Sequence, residues 1–105
     1  MMTDEEGRAV EFFIFGRFHA RIDSEDDLAK AVRDVVRRSR EEVGCLGIHA
    51  FRSIRDPRLF YIHSRWVDGA QFEKYAELPH TVEFIQRVES LVDHPLDVTR
   101  AEMFI

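Results

Sequence analysis

The sequence predicts an α+β domain with the element order β-α-β-β-α-β and a second helix broken in two. Three observations predict it: an amphipathic helical stretch with clear ends between Ser24 and Gly44, two β-type segments joined by a four-residue turn at Arg55-Asp56-Pro57-Arg58, and Pro79 interrupting a second helical pattern. That order is the ferredoxin-like split βαβ arrangement, in which right-handed crossovers put both helices on one face of the sheet. A chain of 105 residues is long enough for one hydrophobic core and too short for two.

Residues 1–9 read as a polar tail and residues 10–105 as the domain. Glu11 to His19 is aromatic-rich and too short for a lone helix, so it is the first strand. Ser24 and Asp27 form a capping-box signature that starts a helix. Leu28, Val32, Val35, Val36, Ser39 and Val43 follow at helical spacing, arginines and acids fill the opposite face, and Gly44 supplies the stop. Cys45–Ile54 and Leu59–Val67 form an antiparallel hairpin across the turn. Asp68 and Gln71 cap a short helix that carries Phe72, Tyr75 and Ala76 inward. After Pro79, the residues Val82, Ile85, Val88, Leu91 and Val92 resume the pattern up to Asp93-His94-Pro95, and Val98–Ile105 is the last strand.

Phe12, Phe13, Ile14 and Phe15 run apolar without alternation, so the first strand must bury both faces. Two helices on one side cover only one of them. With nine Phe in the chain and no element left over, the economical cover for the second face is the same face of another copy. A homodimer through the sheet face is therefore expected, the alternative being one thick core with a Phe left exposed.

The formal charge of −5 disfavours a nucleic-acid partner or an anionic membrane surface. One Cys rules out an intrachain disulfide, no apolar run reaches the roughly 18 residues of a membrane span, and Met1-Met2-Thr3-Asp4-Glu5-Glu6 is unlike a signal peptide, so a cytoplasmic location is expected. The hairpin turn brings His49 near His63, but no helical His-x-x-x-His pair or carboxylate at a fixed offset accompanies them, and no metal is expected. Cys45, at an apolar strand start, reads as a small buried hydrophobe rather than a nucleophile.

Glu41-Glu42-Val43-Gly44-Cys45-Leu46 leading into the second strand, Phe51-Arg52-Ser53 with Asp56-Pro57 in the turn, Arg65-Trp66 before a capped short helix, and Leu78-Pro79-His80 opening the last helix stand in an order that resembles the antibiotic biosynthesis monooxygenase family, a branch of the dimeric α/β-barrel superfamily. The resemblance covers roughly residues 10–105. It implies a pocket between sheet and helices and, in part of the family, cofactor-independent oxygenation of quinol-like or polyphenolic aromatics. The haem-degrading branch is similar in pairing a first-strand Asn with a Trp and a His. Trp66 and His80 match the last two, whereas Gly16 stands at the first position, so no haem or other cofactor is expected.

The candidate site residues follow. Trp66 shares a strand face with Phe60, Ile62 and Ser64; its indole can stack on a flat aromatic, with Ser64 and Phe72 beside it as substrate-binding candidates, or it is simply core. His80 follows Pro79 at a helix start, where the dipole favours a neutral ring able to act as a base towards a phenol, or it merely bonds a neighbouring loop. Tyr75 either offers its hydroxyl to the pocket or is a core Tyr. Arg17 and Arg65 point to the face away from Trp66, where they suit ion pairs of a dimer. The expected function is a cofactor-independent monooxygenase for a small aromatic substrate, with Trp66 and His80 as its catalytic pair. The alternative is a non-catalytic dimeric protein that binds a small ligand or serves a stress response.

Overall fold

Four strands, β1 (Phe12–His19), β2 (Cys45–Arg52), β3 (Leu59–Trp66) and β4 (Asp97–Ala101), form one antiparallel sheet in the order β2-β3-β1-β4 in the computed structural model, which describes residues 10–105. The polar tail expected over residues 1–9 lies outside the described residues. Helix α1 (Glu25–Ser39) connects β1 to β2, and α2 (Gly69–Ala76) and α3 (Pro79–Glu89) together connect β3 to β4. This is the ferredoxin-like order, broken second helix included.

Register assigns the faces. Gly16 pairs with Ile62 and Phe18 with Phe60, while Ile48 pairs with Ser64, so even-numbered residues of β1 and β3 look towards the helices. Phe18, Phe60, Ile62 and Ile48 then close on Leu28, Val32, Val35 and Val36 of α1 and Val88 of α3. Each such side chain, fully buried, contributes about 1.5–3 kcal/mol. The opposite face carries no helix, and it leaves Phe15 49%, Phe51 54% and Tyr61 39% exposed.

Several boundaries differ from the sequence reading. α1 stops at Ser39, and Val43 is 80% exposed in the turn that Gly44 completes at φ +89. Ser24 is the N-cap residue, but at φ −106 and ψ 4 its hydroxyl makes no capping bond. Glu25, Asp26 and Asp27 in the first turn instead complement the helix dipole. Asp68 does cap α2, accepting from the Gln71 N–H at 2.9 Å, and Pro79 takes the first turn of α3. In α3 the buried positions are Thr81 and Val88, with Val82 41% exposed, because the helix docks through the Thr81, Phe84 and Val88 stripe. β4 ends at Ala101, and the remaining residues to Ile105 are exposed and unpaired with the sheet.

One polar clamp ties three segments together at the end of β1. His19 bonds Asp93, after α3, through Nδ1 and Asp56, in the β2–β3 turn, through Nε2, both at 2.8 Å. Occupying both ring nitrogens with carboxylates requires the imidazolium, so first Asp93 and then Asp56 raise the His19 pKa above its ordinary 6.5. In return the His19 bond holds Asp93 down at about 2, with a smaller pull from His94. Because the His19 pKa is raised on folding, its contribution is complete below 6.5 and fades as pH climbs through the raised value; because that of Asp93 is depressed, its contribution fades as pH falls from 3.8 towards 2. Thermal melts across pH should therefore show a plateau between these limits and a fall on the alkaline side that His19→Gln removes.

Candidate functional site

β3 delivers Ser64 and Trp66 to the helix face, and the one-and-a-half turns after the Asp68 cap deliver Phe72 and Tyr75 opposite them. Trp66 is fully buried, its ring centroid 4.5 Å from that of Tyr75 and 5.6 Å from that of Phe72. With Ile14 these residues make a second core cluster. The indole N–H donates to Ser64 Oγ at 2.9 Å. Trp66 thus acts in the fold as a packing residue whose one polar atom is already satisfied.

Beside this cluster lies a cavity of about 90 Å³ between sheet and helices, with Ile14, Ile62, Phe72 and Phe84 among its apolar walls and Ser64, Tyr75 and Thr81 as its polar ones. Gly16 lines the sheet side; a Cβ there would sit 3.0 Å from the Phe18 ring, so the absence of a side chain keeps that wall open. Among the described residues no charged one lines the space.

The hydrogen bonds set the polarity of two of the three hydroxyls. Ser39, wholly buried on α1, donates to the Val35 carbonyl at 2.6 Å, which commits its only proton. Tyr75 must therefore donate in the 2.7 Å contact with Ser39, leaving its oxygen lone pairs free to accept. Ser64 accepts from Trp66, so its own proton remains available to the cavity. Thr81 Oγ1 is buried with no hydrogen-bond partner among the described residues. Burial pushes the Tyr75 pKa up, and the nearby Ser39 and Thr81 hydroxyls only partly oppose this. Tyr75 stays a neutral phenol, suited to orienting a ligand and not to removing its proton.

His80 does not line this cavity. It faces a neighbouring depression of about 150 Å³ with Arg38, Glu83 and Arg87, its Nε2 is buried without a partner among the described residues, and its ring lies 6.0 Å from that of Tyr75. Val35 and Phe84 line both spaces, so the wall between them is a single layer of side chains. The sequence candidates therefore separate into Ser64, Phe72 and Tyr75 on the cavity, Trp66 behind it, and His80 next door. Ser39 and Thr81 are further members of the site. A serine on the apolar stripe of α1 was the visible signal for the first, and Thr81 had none.

Arg65 pairs with Glu11 of the same chain at 2.8 Å. Cys45 is half-buried and its thiol is pushed up by burial, against a nucleophilic role. His49 and His63 are direct neighbours across β2 and β3. The ligand atoms of His19, Asp93 and His94 lie within 4.8 Å of one another, but they bond each other there, and Arg58 sits 3.5 Å from Asp93, which opposes a cation.

A four-stranded ferredoxin-like sheet under three helices, with a small half-open cavity between the layers, defines the class of protein. The model of the family described as antibiotic biosynthesis monooxygenase matches residues 12–87, and the chain belongs to that family. It is 26% identical over 78 residues to the Bacillus subtilis protein named "Putative monooxygenase YcnE", covering 74% of this chain and 82% of that one. Among solved structures, Rv0793 from Mycobacterium tuberculosis superposes with a TM-score of 0.85 at 19% identity over 90% of this chain and 96% of that one. PA3566 from Pseudomonas aeruginosa gives 0.84 at 23% identity over 92% and 97%. These two likenesses concern the fold.

Because Trp66 is core, its truncation should be a stability lesion first. Trp66→Ala should cost about 3–5 kcal/mol in urea unfolding. Trp66→Phe, which keeps most of the ring volume and loses the bond to Ser64, should cost about 1–2 kcal/mol.

Proposed function

We propose that the protein is a cofactor-independent monooxygenase acting on a small quinol-like or phenolic aromatic, as expected from the sequence. The observation that supports this most is the apolar cavity with three hydroxyls converging on it, one layer of side chains away from an unpartnered His80 nitrogen. Such a lining suits a flat, neutral molecule with one or two oxygens: Ser64 donates, Tyr75 accepts, and Phe72 lies against a ring. An apolar cavity of about 150 Å³ is what holds benzene, so a substrate with two rings enters only as Phe84 gives way and the cavity joins the His80 depression. His80 then reaches the substrate hydroxyl as general base.

The chemistry balances without a bound cofactor. Loss of the phenolic proton to His80 leaves an electron-rich phenolate that reduces dioxygen; one oxygen atom enters the ring carbon, the other leaves as water, and all four electrons come from the substrate as phenol and dioxygen give quinone and water. The protein contributes orientation, a base and exclusion of bulk water. The acidic, single-cysteine chain suits the cytoplasm, and among the described residues no helix is long and apolar enough to cross a membrane.

The same proposal includes a homodimer. Phe15, Phe51 and Tyr61, about half exposed on the face opposite the helices, form a patch that a second copy of that face would bury. Sedimentation at micromolar concentration should give a dimer, and Phe15→Lys with Phe51→Lys should shift it to monomer; a wild-type monomer overturns this part.

Purified protein mixed with quinols and naphthols in air should consume oxygen and form quinone. His80→Ala should lower the rate by about 10²-fold or more, the range of a lost general base. Tyr75→Phe should mainly raise KM. One observation favours a second reading, a ligand-binding protein without turnover: the Trp66 N–H and Tyr75 O–H are both satisfied internally. Saturable thermal stabilisation by a naphthol with no oxygen uptake would select that reading.

A further inference from the structure

Four arginines that face no carboxylate among the described residues line a groove on the other side of α1 from the cavity. Val36, Ala50 and Phe60 floor this groove of about 450 Å³ between α1 and β2, the outer strand of the sheet. Arg33 and Arg37 of α1 and Arg40, the residue that caps its C-terminus, line it at spacings of four and three, which places them on one side of the helix, and Arg52 lines it from β2. Among the described residues no Asp or Glu lines the groove.

Four other arginines of the molecule are treated differently. Arg58, Arg65, Arg87 and Arg100 each face a carboxylate. Among the described residues, none of the four groove arginines does, although the chain as a whole is acidic at −5. Two of the four are held in place by contacts that, among the described residues, do not engage their terminal nitrogens. The Arg52 guanidinium lies 4.5 Å over the Phe60 ring, and Arg40 donates through Nε to the Ile48 carbonyl at 3.2 Å. Guanidiniums fixed in this way lose less freedom when they grip a ligand.

We propose that this groove binds a small organic molecule bearing a diphosphate group. Arginine forks match phosphate oxygens in pairs. A single phosphate carries about −1.5 to −2 and leaves much of the charge of four guanidiniums unmatched, whereas two linked phosphates come closer. The volume lies within the roughly 300–1,000 Å³ of small-molecule sites, and the apolar floor receives a carbon body. A long nucleic acid would run beyond the groove over an acidic surface, while a compact anion within a Debye length of about 8–10 Å feels mainly the four arginines.

Inorganic pyrophosphate is the probe, titrated calorimetrically into the full chain at constant ionic strength. One saturable site of submillimolar affinity is expected, with binding weakened about tenfold or more, or about 1.4 kcal/mol, in Arg33→Gln with Arg37→Gln. Arg52→Lys, which keeps the charge and loses the fork, should also weaken it. These exposed positions tolerate Gln and Lys, and circular dichroism checks that the fold is kept. Binding no stronger than matched chloride or sulfate, or equal binding by the variants, overturns the proposal. So does an Arg-dependent preference for single-stranded oligonucleotide over pyrophosphate.

Discussion

The pairing of β1 with β3, Phe12 opposite Trp66 through His19 opposite Leu59, is the constraint on which the remaining structure depends. Side chains alternate with a period of two, so a slip of one residue would carry Phe18 out of the core and Phe15 into it. Gly16 would lose its place beside the cavity in the same slip. His19 would swing away from Asp56 and Asp93, which sit in two different loops. The aromatic run in β1 makes this register worth defending, since both faces are apolar and neither alone tells the strand which way to turn. The clamp at one end and the Glu11–Arg65 pair at the other supply the missing direction.

The site inherits its geometry from that register at one remove. Ser64 and Trp66 stand two apart on β3, and the bond between them fixes which way the Ser64 proton points. Tyr75 is fixed from the opposite side by Ser39, so the cavity is bounded by one hydroxyl oriented by the sheet and another oriented by α1. Cavity polarity is therefore a property of the packed layers. Moving α1 along its axis would disturb Tyr75 before it disturbed any residue on the sheet. α1 also separates the cavity from the arginine groove: Val35 faces the first and Val36 the second, adjacent residues on two sides of one helix.

Much of the fold was legible because hydrophobic period and turn chemistry agree along most of the chain. The α1 stripe from Leu28 to Ser39, the Asp56-Pro57 turn and the Asp68 cap all speak for themselves. Val43 shows where period misleads: it continues the α1 stripe on paper, yet the chain has already turned towards Gly44. Thr81 and Val82 show the same for α3, where docking chooses a stripe one residue away from the most apolar one. In the site, strand phase found Ser64 and helix phase found Phe72 and Tyr75. The Ser39–Tyr75 bond joins residues 36 apart, and no local pattern encodes such a pairing. The Trp66 N–H was hidden for the opposite reason, its partner being on its own strand.

The two faces of the sheet make different demands on function. On the helix face, aromatic residues are consumed by packing, and what remains is a small neutral space whose polar atoms are few and mostly engaged. An enzyme built there has to gain reach by moving a side chain, and Phe84, shared between the cavity and the His80 depression and packed edge-on against Phe18 at 5.9 Å, is the side chain placed to do so. On the other face, Phe13 and Phe15 pack on His63 and still leave apolar area facing water. A second copy covering that face would stiffen the sheet from behind, so that substrate entry would be absorbed by α2 and α3 rather than by the strands. The break at Leu78-Pro79 is where that motion costs least, because proline there has no N–H to give up and the two helices meet through a short turn instead of a continuous ladder.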